Sequence, residues 1–159
     1  MKQIYSVFTY YQLITAIQIK NKLFPEADAD IVISDHSAGY EKAAEKVRES
    51  GIFDNVYTAK SVDAMRLDSF SKKLRRVVDI VFYNNKFPLN CSDIEKLGYD
   101  EILFFNFNYF DNCLYYLLKK NNPDLICRRF EESYTSGFDF DIFNKSCYNI
   151  RKKKCKNKL

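Results

Sequence analysis

Tryptophan is absent from this 159-residue chain, and histidine occurs once, at position 36. The five cysteines, Cys91, Cys113, Cys127, Cys147 and Cys155, form no CxxC and lie far in sequence from His36. Structural zinc needs four Cys/His ligands at tight spacing, so the pattern argues against a zinc site, and no other metal or cofactor is called for. An odd cysteine count, with Cys113 and Cys127 on apolar segments, points instead to reduced, buried thiols in a cytoplasmic setting. No apolar run reaches the length of a membrane span. Nothing at the start resembles a signal peptide, because Met1–Tyr5 enters a short strand-like run and then meets polar residues. Internal repeats are missing, and no linker interrupts residues 1–135.

What is present fits one packed domain. The length suits a single core that needs neither disulfides nor metal. Hydrophobic residues make up 47% of the chain and aromatics 16%, all of them Tyr and Phe, which excludes a disordered polymer. Most of these rings are expected in the core, and a surplus is available to line a cleft. The formal charge of +4 is misleading. Seven of the 25 Lys/Arg residues fall in 145–159 with no acid among them, which leaves 18 basic against 21 acidic residues in 1–144. We therefore divide the chain into a mildly acidic body, 1–144, and a basic tail, 145–159, expected to be disordered. Such a tail can attract nucleic acid or the anionic inner face of a membrane. It can equally serve only as a solubilising end.

Strand and helix signals alternate along the body. Strands are expected near residues 3–8, 30–34, 55–58, 101–105 and 125–130. Between them fall helices over Tyr10–Leu23, Tyr40–Ser50, Leu67–Phe82 and Asp111–Lys120. The first helix carries apolar residues at Leu13, Ile14 and Ile17 and, less strictly, Ile19 and Leu23. Thr9 followed by Gln12 matches a capping box at its start, and Gly51 suits the end of the second helix. Alternation of this kind predicts an α/β fold: a three-layer, Rossmann-like domain with a parallel five-stranded sheet covered by helices on both faces.

Ligands of such sheets bind beyond the carboxyl ends of the strands. The expected fifth strand, read as buried from Leu125-Ile126-Cys127, runs straight into Phe130-Glu131-Glu132-Ser133-Tyr134. Two adjacent carboxylates at that rim can divide the roles of a general base and its support, since like charges push their pKa values apart; an ordinary solvated pair is the competing reading. The same rim should carry Thr9 and Tyr10 after the first strand, Asp35 and His36 after the second, and Asn106 with Asn108 after the fourth. Thr9 is first a helix cap. His36 reads as a turn or cleft-lining residue rather than half of a dyad, because adjacent side chains diverge. Tyr10, Tyr11 and Tyr134 are candidates for stacking on a flat ligand face, with packing the competing role.

Four segments in this order resemble the bacterial sialyltransferases of glycosyltransferase family 52 and the related polysialyltransferase-like capsule enzymes. They are Tyr5-Ser6-Val7-Phe8-Thr9-Tyr10-Tyr11-Gln12-Leu13, Ile33-Ser34-Asp35-His36, Gly51 to Tyr57, and Arg129 to Tyr134. The resemblance spans roughly residues 1–140 and implies the acceptor-side half of a GT-B fold. It implies Glu132 as the base that deprotonates the acceptor hydroxyl and Glu131 as its support, with acceptor contacts at Thr9, Tyr10, Asp35, His36, Asn106 and Tyr134. The partner would be a saccharide acceptor of capsular polysaccharide or lipooligosaccharide synthesis. Two departures stand out. Ser133 replaces the glycine that follows the two acids in that family, and no His-Pro pair of the donor-binding domain occurs. A CMP-sugar donor would therefore require a second domain, and the 159 residues alone are expected to be a truncated, inactive half-enzyme. A non-catalytic carbohydrate- or protein-binding module, and nucleic-acid binding through the tail, are the rival readings.

Overall fold

The computed structural model describes residues 1–61, 71, 94, 97–105 and 109–130. Along the chain these give β1 (Lys2–Val7), α1 (Tyr10–Leu23), β2 (Asp28–Ser34), α2 (Tyr40–Ser50), β3 (Asn55–Ala59), β4 (Glu101–Phe104), α3 (Tyr109–Asn121) and β5 (Ile126–Arg129). The expected helix over Leu67–Phe82, apart from Ser71, and the whole basic tail lie outside the described residues.

The strands form one sheet in the order β3-β2-β1-β4-β5, and every neighbouring pair is parallel. Near-continuous apolar runs produce this arrangement because parallel strands are covered on both faces. All but the first residues of β1 and β2 are buried. Alternation then divides the core. Tyr5, Val7, Ile31, Ile33, Leu103 and Phe105 pack with Leu13, Ala16 and Ile19 of α1 and Ala44 and Val47 of α2. On the other face Phe8 meets Phe110 of α3 edge-on, with ring centroids 5.6 Å apart. The result is the three-layer α/β, Rossmann-like domain that the alternation predicts.

Three expectations need correction. α1 buries Gln12, Leu13, Ala16, Ile19 and Lys20, whereas Ile14 and Leu23 are 57% and 60% exposed. The inward stripe follows Leu13–Ala16–Ile19–Lys20, and the Lys20 ammonium is held at the helix end by the carbonyls of Phe24 and Pro25, at 3.3 and 2.9 Å. β5 is not a buried strand. Among the described residues β4 is its sole strand neighbour, and all four of its side chains are exposed, although Leu125 just before it is buried. Cys127 is accordingly exposed and Cys113 only half-buried, so neither is the fully buried thiol expected from its apolar surroundings.

The amino-terminal rim of the sheet is laced together by polar groups. Glu101, 1% exposed, accepts from Gln3 Nε2 at 2.7 Å and pairs with Arg128 Nε at 2.7 Å, and Tyr5 Oη donates to Gln3 Oε1 at 2.9 Å. On the opposite face Tyr99 Oη donates to the buried Asp30 at 2.5 Å, and Asn55 donates to the other Asp30 oxygen through its backbone and side chain at 3.1 and 3.0 Å. Burial, followed by the charges of Glu101 and Asp30 respectively, raises the Tyr5 and Tyr99 pKa values well above the ordinary tyrosine range. Each of these polar groups meets a partner within the chain.

Candidate functional site

The carboxyl-terminal rim is built differently. β1 ends at Val7, and the chain passes through Phe8 and Thr9 into α1. Thr9 is the N-cap in extended conformation, φ −124° and ψ 159°, and its Oγ1 accepts from the Gln12 amide at 3.2 Å. Gln12 Oε1 returns to accept from the Phe8 amide at 2.7 Å, which completes the capping box expected from the Thr9/Gln12 spacing. Gln12 Nε2 is buried and makes no hydrogen bond. The first amides of α1, those of Tyr10 and Tyr11, have no carbonyl ahead of them in the helix and face outward at its positive end.

Beyond β2, Ser34-Asp35-His36-Ser37 turns towards α2, and this turn is stitched to both neighbouring strands. Ser61, buried after β3, donates to Asp35 Oδ1 from its amide at 2.8 Å and from its hydroxyl at 3.2 Å. Ser34 and Ser61 share a short hydroxyl–hydroxyl bond, and the His36 amide donates to Ser34 Oγ at 3.1 Å. Ser37 Oγ donates across to the Phe8 carbonyl at 3.1 Å. Tyr10 Oη donates to the Ala38 carbonyl at 2.5 Å, so the first turn of α1 is strapped to the β2–α2 turn. Gly39 makes that approach possible. It sits at φ +75°, and a Cβ there would stand 3.1 Å from Tyr10 Oη.

Between these stitches lies a depression lined by Phe8, Thr9, Tyr10, Leu13, Ser34, Ser37 and Tyr40 among others, with free space of about 10 Å³. That is room for about one water. Anything larger than a water would therefore rest on this surface rather than enter it. Tyr10, which lines the depression, is 46% exposed, and the next residue of the helix start, Tyr11, is 67% exposed.

The structure thus brings Thr9, Tyr10, Asp35 and His36 to one rim, in two adjoining turns. Thr9, Asp35 and the Tyr10 hydroxyl already serve the fold, whereas the Tyr10 ring and His36 are exposed. β4 and β5 end on the same rim, because the sheet is parallel throughout. The Phe130 amide donates to the Phe104 carbonyl at 2.8 Å, which carries the strand direction to the residue before the acid pair. Glu131, Glu132, Asn106, Asn108 and Tyr134 lie outside the described residues. Among those that are described, no group of His, Cys, Asp and Glu could hold a metal ion.

Sequence reasoning missed Ser34, Ser37 and Ser61, which define the shape of this rim. Serine in a turn carries no signature of a partner 27 or 29 residues away. Comparison with family models, with curated proteins and with solved structures finds no match to this chain.

Proposed function

We propose that this domain is the acceptor-binding half of a sialyltransferase-like glycosyltransferase. The observation that carries the reading is the common rim. The turn after β1 and the turn after β2 are joined there into one surface, and β5 leads directly towards Glu131-Glu132. An acceptor saccharide would lie across the exposed Tyr10 and Tyr11 rings, with its hydroxyls towards the free amides of the α1 start and towards His36. Inverting sialyl transfer passes through an oxocarbenium-like transition state and needs a base on the acceptor hydroxyl. Glu132 takes that proton, and Glu131 raises its basicity by like-charge proximity. Stabilisation of the departing CMP phosphate falls to a second domain that binds the donor.

Amide chemical shifts of the 159-residue protein, followed during titration with a panel of neutral and sialylated oligosaccharides, test the binding half of this reading. Shifts confined to Thr9–Tyr11 and Asp35–Ser37 are expected. A panel that leaves those amides unmoved, or moves only the Lys-rich tail, overturns it. With a donor-binding domain supplied in trans, Glu132→Gln is expected to abolish transfer and Glu131→Gln to reduce it.

A further inference from the structure

The depression between the first turn of α1 and the β2–α2 turn is lined mainly by carbon. Phe8, Leu13, Ile33 and Ala43 supply apolar walls, and Leu13 and Ile33 belong to the buried core beneath. Hydroxyls line it as well, but each is engaged elsewhere. Ser37 Oγ donates to the Phe8 carbonyl at 3.1 Å, and Tyr10 Oη to the Ala38 carbonyl at 2.5 Å. Ser34 Oγ is bonded to Ser61 and to the His36 amide, and Thr9 Oγ1 accepts from the Gln12 amide. Tyr40 Oη donates to Glu41 at 3.2 Å. A water held in a cavity needs about two to four polar partners, and these walls turn theirs away. The free space of about 10 Å³ therefore suits an apolar group close to a water in size, which is a methyl.

That methyl has to reach inward while the rest of its molecule stays on the surface. A methyl attached directly to a sugar ring carbon cannot enter without bringing the ring with it. An acetamido group can, because its planar amide is an arm that carries the methyl beyond the ring. The amide plane would lie against Tyr10, whose half-exposed ring lines the depression. We infer that the depression receives the N-acetyl methyl of the acceptor, which makes the acceptor an N-acetylated amino sugar. The inference rests on the acceptor-binding reading above and names the class of sugar which that reading leaves open.

Three methyl glycosides of glucosamine that differ only in the N-acyl group (formyl, acetyl or butanoyl) test it, titrated into the full chain with backbone amide shifts as the readout. The N-acetyl compound should bind roughly fourfold tighter than the N-formyl one, the gain from burying a single methyl. The butanoyl chain is too long for the space and should bind no better than formyl. Nuclear Overhauser contacts should run from the acetyl methyl to the side chains of Leu13, Ile33 and Ala43. Ala43→Leu keeps a strong helix former in α2 and fills the depression, so it should erase the preference for acetyl over formyl. All three glycosides binding equally, with shifts at Thr9–Tyr11, overturns the inference and leaves the acceptor-binding reading standing. No shift with any of them overturns both. An acetyl preference that survives Ala43→Leu, or that comes without contacts to Ile33 and Ala43, places the methyl elsewhere and overturns the inference; the contacts are measured on the unaltered chain, so they decide even where the variant does not fold.

Discussion

Gly39 and Gly51 both have positive φ, +75° and +65°, yet they differ in surroundings. An added Cβ at Gly51 meets nothing within 4 Å, whereas at Gly39 it meets Tyr10 Oη. Gly51→Ala should thus cost only the left-handed backbone penalty, about 1–2 kcal/mol, and Gly39→Ala should cost more in urea unfolding. The excess should shrink in a Tyr10→Phe background, because the hydroxyl that the methyl crowds is gone; an excess unchanged by Tyr10→Phe would show that the strap is not its source. Thr9→Ala should cost about 1 kcal/mol through loss of the cap. Thr9 and Gln12 were legible because a capping box is local, four residues long. The strap from Tyr10 to Ala38 was not, since nothing near Tyr10 in sequence points to a carbonyl 28 residues on.

At the scale of elements, periodicity located α1 and α2 correctly, with Tyr10–Leu23 and Tyr40–Ser50 as expected, and α3 begins two residues earlier and ends one later than the expected Asp111–Lys120. Strand existence was legible in the same way, since Ile4–Val7 and Ile31–Ile33 are apolar on both faces. Exposure was harder to read. Leu125-Ile126-Cys127 has the composition of a central strand, but position in the sheet decides burial, and β5 came last. The polar lacing of the amino-terminal rim was equally hidden, because Gln3 and Glu101 are 98 residues apart. Its strength is open to measurement. Glu101→Gln removes the carboxylate that joins Gln3 and Arg128. It should cost about 2–3 kcal/mol in chemical denaturation, below the 3–5 of a fully buried pair because Arg128 is half exposed. A cost under about 1 kcal/mol would mean that the pair behaves like a surface ion pair.

For the whole molecule, two buried tyrosines set an alkaline limit. Tyr5 and Tyr99 have raised pKa values in the fold, through burial first and then Glu101 and Asp30. Unfolding returns them to about 10. Below that value both states hold the phenolic protons, and the contribution to stability is complete. Above it the unfolded chain releases protons that the fold retains, so stability falls as pH rises. Urea midpoints should be level up to about pH 9 and decline beyond about pH 10, and Tyr99→Phe should remove its share of the decline. A midpoint that stays flat through that range would contradict the burial of both hydroxyls. Among the described residues no helix is long and apolar enough to cross a membrane.

The place of β1 in the sheet also has a consequence in time. Residues 2–7 pair on one side with residues 28–33, and residues 3–6 pair on the other with 101–104. A growing chain can complete β3-β2-β1 once Ala59 has been made, but the other flank of β1 stays open until β4 exists. At the usual 5–20 residues per second, the 40-odd residues between them take on the order of several seconds. During that interval Gln3, Ile4, Tyr5 and Ser6 present an unpaired strand edge at what becomes the centre of the sheet. Arrested nascent chains should therefore be captured by a chaperone that binds extended segments when the last residue to have emerged lies between 61 and 100, and released once Arg129 has emerged. Equal capture at both lengths would show that β1 is protected before β4 arrives.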